Sequence, residues 1–173
     1  MPTLATKHVS PYKVKVDGAE ISPELRSQIL EIKVRQSLQQ PSSATIRISD
    51  PKAEQMDKHP LQIGCLLTIE VGAMEASSPA KIFDGEIVAL EPEFDEKGVS
   101  IGVRAYDKSH RLQRAKKVRT FQQMSASDMV RKVMGEAGLG GTADATSYVF
   151  SFFQQSDETD RDFIRRLERM HDY

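Results

Sequence analysis

The densest charge run in this chain of 173 residues is the segment HRLQRAKKVRTF, residues 110–121. It contains no acidic residue and five basic ones: Arg111, Arg114, Lys116, Lys117 and Arg119. A basic cluster is the first sign of a nucleic-acid surface, because lysine and arginine displace counterions from phosphates. Stacking on single strands needs aromatic side chains, and this run has only Phe121. We therefore interpret it first as a subunit-contact surface, with solvated charge and nucleic-acid contact as the alternatives.

A second run, residues 84–96, has the opposite sign and contains no lysine or arginine. Paired carboxylates could act as acid and base or hold a cation, but the alternating pattern favours a solvated strand pair. Opposite charges this close in sequence can pair within the fold, pair across subunits, or attract a polyanion. If the chain assembles into a ring of copies, we expect some residues of the two runs to meet between adjacent subunits. The candidate contact residues are Arg111, Arg114, Lys116, Lys117, Glu91, Glu93, Asp95 and Glu96.

The sequence offers no convergent set of catalytic or metal-binding residues. No two of its four histidines have the i, i+4 spacing of a helical metal site; they are His8, His59, His110 and His171. The single cysteine, Cys65, lies beside the apolar segment LLTIEV, where a thiolate is disfavoured. The glycine-rich GEAGLGGT follows a helical pattern, whereas a phosphate-binding loop opens one. We expect no enzyme activity, no metal and no cofactor.

Composition limits the class of protein further. The chain has 24 lysines and arginines against 25 aspartates and glutamates, a net charge of -1, whereas dedicated duplex binders are usually basic. One cysteine excludes an internal disulfide. The N-terminal MPTLATKHVSPYK lacks the apolar core of a secretion signal, and no stretch approaches a membrane span. We expect a protein made in the cytoplasm without an export signal.

Residues 11–106 alternate apolar and polar side chains, which predicts strands. The alternation gives six strand segments with a turn at Asp17-Gly18, and it puts Leu30, Ile32 and Val34 on one inward face. Phe83, Ile87, Val103 and Ala105 lie on the apolar phase of their strands, so they should also face inward. Asp50 and Pro51 predict a short helix over residues 51–58. This pattern favours an antiparallel β-barrel or sandwich.

The last third changes to helical periodicity. Ser125 and Asp128 have the spacing of a capping box before an apolar stripe, and Gly138 follows where that helix would end. SYVFSFFQQ predicts a strand, and Thr159 with Asp162 predicts a second cap. The helix that follows this second cap should face inward through four residues: Phe163, Ile164, Leu167 and Met170. We predict an antiparallel β-barrel domain over 1–107 and a helix–strand–helix α/β segment over 108–173, with the basic run as connector.

Several motifs in order resemble the hub proteins of contractile injection machines, namely the phage late control protein D family and the hub part of valine-glycine repeat protein G (VgrG) spikes. The F-x-G-x-I strand is matched by Phe83, Gly85 and Ile87. The YD-x-x-H-x-L turn is matched by Tyr106, Asp107, His110 and Leu112. The R-T-F segment and the capped helix are matched by Arg119, Thr120, Phe121, Ser125, Asp128, Met129 and Val130. The family's Q-x-x-x-T-D-x-x-F-L-x-R-L helix is matched by Gln155, Thr159, Asp160, Phe163, Ile164, Arg166 and Leu167.

The resemblance extends from about residue 25 to the end of the chain. It implies a tail-hub type barrel in a homotrimeric baseplate hub that joins the tail tube to the spike in a phage tail, type VI secretion system or related apparatus, without a cofactor. Family members continue into further strands and a second barrel. The chain is therefore expected to be the start of a longer hub protein, or a short form whose ring needs a partner. The alternative is a small β-barrel that binds nucleic acid or another polyanion.

Overall fold

The computed structural model describes residues 11–50, 60–72, 79–95 and 98–170. The helix predicted over residues 51–58 lies outside the described residues, as do Glu96 and the side chain of Asp95. The chain divides into two compact units, Met1–Asp107 and Lys108–Tyr173. We call them unit 1 and unit 2 and describe each by itself.

Unit 1 is one antiparallel sheet of seven strands with the order β2-β1-β5-β6-β7-β4-β3. Its elements are β1 (Tyr12–Val16), β2 (Ala19–Glu20), α1 (Pro23–Ser27), β3 (Ile29–Arg35), β4 (Ser43–Ser49), β5 (Leu66–Val71), β6 (Ala80–Asp95) and β7 (Gly98–Tyr106). The prediction of a mainly antiparallel β fold is confirmed. The turn predicted at Asp17-Gly18 is also present, with positive φ at both residues, as a tight hairpin turn requires.

The sheet of unit 1 curls around a single hydrophobic core. Buried side chains from β1, β4, β5, β6 and β7 form one cluster, and side chains of β3 pack against it. Tyr12 of β1 and Ile32 of β3 line the same cleft, although these strands lie near opposite ends of the sheet order. No pairing joins β2 to β3 among the described residues, so the sheet is curled and is not closed by hydrogen bonds at this seam.

Most of the predicted inward positions of unit 1 are correct. Phe83, Ile87, Val103 and Ala105 are all buried in the core. The prediction for Leu30 is wrong, because this residue is 60% exposed. The register of β3 against β4 shifts between Ile29 and Glu31, so Ile29 packs on the core in its place.

The helix α1 was not predicted from the sequence. Ser22 caps it, since its Oγ accepts a hydrogen bond of 3.2 Å from the backbone N–H of Leu25, and Pro23 opens the first turn. Leu25 is buried in the core of unit 1. A helix of five residues is too short to show a helical period, so only its cap and its proline mark it in the sequence.

Gly85 explains the F-x-G-x-I pattern of β6. A Cβ at this position would lie 2.3 Å from the backbone oxygen of Tyr106 on β7 and 2.7 Å from the Phe83 ring. Both distances are far below van der Waals contact, so only glycine fits between the neighbouring strand and the ring. The motif therefore brings β6 and β7 together where Phe83 and Ile87 enter the core.

Unit 2 is a two-stranded antiparallel sheet with two helices packed on it. A 3-10 helix (Lys108–Gln113) leads into β8 (Lys116–Ser125), α2 (Ala126–Glu136), β9 (Val149–Thr159) and α3 (Asp160–Met170). β8 and β9 pair antiparallel, and the Phe121 and Phe163 rings stack with centroids 5.1 Å apart. The core of the unit consists of Phe121, Ala126, Met129, Val133, Phe163 and Leu167.

Both predicted helix caps of unit 2 are confirmed. Ser125 Oγ accepts from the Asp128 N–H at 3.2 Å, and Thr159 Oγ1 accepts from the Asp162 N–H at 3.1 Å. Met170 does not face inward as predicted, because it is the last residue of α3 and is 52% exposed beyond the core. The basic run, which was predicted to be a connector, instead belongs to the strand β8 from Lys116 onward.

Gly85→Ala should destabilise unit 1 by about 1 to 3 kcal/mol, because the added methyl group displaces the β7 backbone or the Phe83 ring. Gly102→Ala is the matched control, since a Cβ there meets its nearest atom at an ordinary 3.4 Å. Urea unfolding followed by circular dichroism measures both variants. Equal stability of the two would contradict the close approach at Gly85.

Candidate subunit-contact surfaces

The acidic run lies on the outer face of the unit 1 sheet, along β6. Glu91 and Glu93 point outward, since Leu90, directly before Glu91, packs on the core and both glutamates are about half exposed. Glu91 forms an ion pair of 2.9 Å with Arg104 of β7, and Glu93 one of 3.3 Å with Arg47 of β4. These partners follow from the sheet order, in which β7 separates β6 from β4.

The same outer face continues across β4 and β3 as a mixed strip of charges. Lys33 and Glu31 on β3 pair at 2.9 Å, and both line this strip. Each pair is about half exposed, so solvent screens it and it adds little to stability. The predicted acidic contact surface is therefore already partly neutralised within its own unit.

The basic run begins in the 3-10 helix of unit 2. Arg111 Nη1 donates to the carbonyl oxygen of Ala137 at 3.1 Å, where it caps the C-terminal end of α2. Arg114 Nη2 lies 2.8 Å from His110 Nε2. Lys116, at the start of β8, is exposed and reaches Asp157 of β9 at 3.4 Å.

The rest of the run alternates as a strand, with its cations on the inner face. Lys117, Arg119 and Phe121 face the helices, whereas Val118 between them is exposed to solvent. In the usual pattern of a half-buried strand the apolar residues face inward and the charged ones outward, and at this end of β8 the two are exchanged. This reversal hid the strand in the sequence, because apolar alternation is the signal that identifies a half-buried strand.

The inward cations meet a buried polar pair that the sequence analysis did not assign to a site. The carboxylate of Asp160, 1% exposed at the start of α3, accepts from Lys117 at 2.6 Å and pairs with Arg119. Gln155 of β9 is fully buried and accepts from Arg119 Nε at 2.6 Å. Its amide Nε2 donates to Asp160 Oδ1 at 3.1 Å.

This group, which we call the Asp160 cluster, joins all four regular elements of unit 2. Arg119 of β8 also pairs with Glu136 at the end of α2. Arg119, Gln155 and Asp160 all belong to motifs that carry the family resemblance, so the motif residues here are structural. The signal available in the sequence was the reversed alternation in β8, together with Gln155 within β9 and Asp160 directly after it.

The pKa of Asp160 is set by opposing effects. Burial raises it, but hydrogen bonds from Lys117 and Gln155 and the charges of Arg119 and Lys117 outweigh burial and leave it below its ordinary value. The carboxylate is therefore charged at neutral pH. A lowered pKa means that its contribution to stability is present above the unfolded pKa and is lost as pH falls through the folded value.

The residues that the structure describes offer neither clustered metal ligands nor an activated thiol. These residues contain no group of three His, Cys, Asp or Glu side chains that could hold a metal ion. Desolvation, followed by a hydrogen bond with Asp17, raises the pKa of the Cys65 thiol, so it is a poor nucleophile. Within the same residues no helix has the length and apolar content needed to cross a bilayer.

Asp160→Ala should destabilise unit 2 by about 2 to 3 kcal/mol at pH 7. The loss is below the value of a fully buried pair because Lys117 and Arg119 keep some solvent contact. Hydrogen exchange of the β8 and β9 amides measures this loss in the free energy of unfolding. The difference from the wild type should shrink as pH falls through the ordinary range of an aspartate toward the lowered pKa of Asp160. Asp157→Ala, which removes a largely exposed carboxylate, is the control and should change little; equal losses at both sites would contradict the role of burial.

Solved structures with the same fold come from phage tails and a secretion system. The 43 kDa tail protein of prophage MuSo2 from Shewanella oneidensis superposes with a TM-score of 0.71 at 16% identity, covering 94% of this chain and 48% of that protein. A tail protein from Neisseria meningitidis MC58 gives 0.51 at 11% identity, covering 91% and 44%.

An E. coli component of the type VI secretion system, itself similar to the T4 bacteriophage tail proteins gp27 and gp5, gives a TM-score of 0.57 at 18% identity. That match covers 90% of this chain and 42% of the E. coli protein. The chain thus spans less than half the length of each of these three structures. At these identities the likeness shows a shared fold.

The sequence itself gives two further results. No curated protein sequence matches the chain. A family model described as the Alg8 N-terminal domain matches residues 6–171. Because this match extends over nearly the whole sequence, the chain belongs to the Alg8 N-terminal domain family.

Proposed function

We propose that this chain is a structural component of the baseplate hub in a contractile injection machine, where it joins the tail tube to the spike as a homotrimer. The observation that carries the proposal is the fold, which matches a prophage tail protein over 94% of this chain. A type VI secretion component shares it. The ordered motifs of β6, β7, β8 and α3 support the same assignment.

The charge distribution suits assembly from copies of one chain. Residues 1–107 contain 12 lysines and arginines against 16 aspartates and glutamates, a net charge of -4. Residues 108–173 contain 12 against 9, a net charge of +3. In a cyclic trimer each subunit meets the next head to tail, so oppositely charged units of adjacent copies can face one another around a closed ring.

The polyanion-binding alternative is not favoured by the basic run. Lys117 and Arg119 are turned inward to the Asp160 cluster, and Lys116 is paired with Asp157. A surface for phosphates would need these cations directed outward and free of carboxylates. The proposal therefore gives the chain a structural role and no catalytic one.

Sedimentation of the purified chain tests the trimer, since the expected species has three times the 19.4 kDa mass of the chain. Immunogold labelling of tail particles from the producing cell tests the location and should mark the baseplate end. Binding to the tail tube protein, measured by calorimetry, tests the partner. Label spread along the tail, together with no tube binding, would overturn the hub assignment.

Reversing the charge of Lys116 separates a subunit contact from a solvated residue. Lys116→Glu should weaken self-association several-fold at low salt if the residue faces Glu91, Glu93 or Asp95 of the next subunit, and Glu93→Lys in the same chain should partly restore it. Charge reversal at Lys116 is a more specific test than reversal at Lys117, because a Lys117 variant would also disturb the Asp160 cluster. Sedimentation at low and moderate salt measures the change; an unchanged mass in every variant would exclude this contact.

A further inference from the structure

We propose that a groove between α2 and α3 receives the loop between β3 and β4 of a second copy of this chain. This inference rests on the proposed ring, because it names a contact that would join one subunit to the next. It follows from two surfaces whose apolar and charged groups match. Each surface is described below by itself.

The groove is an apolar trough in unit 2. Val130 and Met134 of α2 form one wall, and Ile164 of α3 forms the other. Ala143 and Asp144, from the loop before β9, lie at one side, and Glu168 of α3 also lines it. Met129 and Val133 fill the core from the other side of α2, so the groove is a second apolar stripe of that helix.

The two carboxylates of the groove are exceptional in unit 2. Among the residues that the structure describes, Asp144 and Glu168 have no hydrogen bond or ion pair from their side chains. Every other described carboxylate of unit 2 has such a partner: Asp128, Glu136, Asp157, Glu158, Asp160 and Asp162. An apolar trough with two uncompensated negative charges fits an apolar side chain that is accompanied by a cation.

The loop between β3 and β4, residues 36–42, presents such a pair. Leu38 is fully exposed at the loop. Both ends of the loop are fixed, since Gln36 Nε2 donates to the Ile82 carbonyl at 2.8 Å and the Ser42 N–H donates to Asp107 Oδ2 at 2.6 Å. A loop fixed at both ends loses little conformational entropy when Leu38 enters a pocket.

Arg35 supplies the cation beside this leucine. It ends β3, is exposed, and lies three residues before Leu38. Within the described part of unit 1, it is the one basic side chain that lacks an ion pair. The unpaired cation of one unit therefore lies three residues from an exposed apolar anchor, and the unpaired carboxylates of the other unit line an apolar groove.

The contact is heterologous, because the loop belongs to unit 1 and the groove to unit 2. A head-to-tail contact of this kind closes into a ring when its rotation is one third of a turn. Leu38 would supply most of the affinity by leaving water, and Arg35 with Asp144 and Glu168 would set the orientation. The partner is thus a second copy of this chain.

Sedimentation equilibrium of the whole chain tests the contact first. Leu38→Ala and the groove variant Asp144→Lys with Glu168→Lys should each weaken self-association about tenfold or more, as expected for a lost apolar anchor or reversed rim charges. Adding Arg35→Glu to the groove variant should recover part of the loss. Ile63→Ala removes another exposed apolar side chain, on a different loop of unit 1, and should leave the mass unchanged.

Mixing two defective variants tests the direction of the contact. Leu38→Asp keeps an intact groove, and the groove variant keeps an intact loop, so the mixture should form a one-to-one complex that neither variant forms alone. Circular dichroism of each variant should match the wild type, because all the changed residues are exposed. A mixture that remains monomeric would overturn the proposal, since no copy would then complement another.

The remaining outcomes separate this contact from the proposed function. If the wild type self-associates and every variant sediments as it does, the groove contact is wrong and the ring proposal stands. If the wild type is monomeric at all concentrations, the groove has another occupant or none and this proposal fails. The hub assignment would then be decided by binding to the tail tube protein and by particle labelling.

Discussion

Asp160 begins α3 with a carboxylate that is almost completely withdrawn from solvent, and two cations of β8 must turn inward to neutralise it. Once Lys117 and Arg119 point inward, Val118 between them must point outward, and this decides which face of β8 packs on the helices. Gln155 then fills the remaining hydrogen-bonding positions. Removing one partner of such a buried ion cluster leaves a buried charge uncompensated, so the cluster favours the one arrangement in which every member is paired.

This arrangement changes how the charge of the surface is interpreted. A run that looks available for phosphates in the sequence contributes two of its five cations to a buried cluster and a third to a helix end. The groups that remain available for partners are those that the fold leaves uncompensated. Among the described residues these groups include Asp144 and Glu168, which line an apolar groove, and such a mixture is the usual composition of a protein interface.

The sequence predicted most of the strands and both long helices, because alternation and caps are local signals. It did not reveal α1, because a helix of five residues is too short to show a helical period. It also did not reveal the register shift that turns Leu30 outward. β8 was missed because its inward residues are cations. Which charges are paired cannot be obtained from spacing, because Asp160 lies 43 residues from Lys117 in the chain. The groove between α2 and α3 likewise depends on residues that are distant in the sequence.

The two units meet different physical demands. In unit 1 the close approach at Gly85 and a continuous apolar core hold β6 and β7 together, whereas unit 2 has a smaller core and adds a charge cluster to it. Ion pairs between exposed residues are screened at physiological salt and contribute to orientation more than to affinity. A ring built from such surfaces must therefore obtain its stability from apolar contacts repeated around the symmetry axis. Opposite net charges on the two units would favour the head-to-tail encounter over pairing of like units.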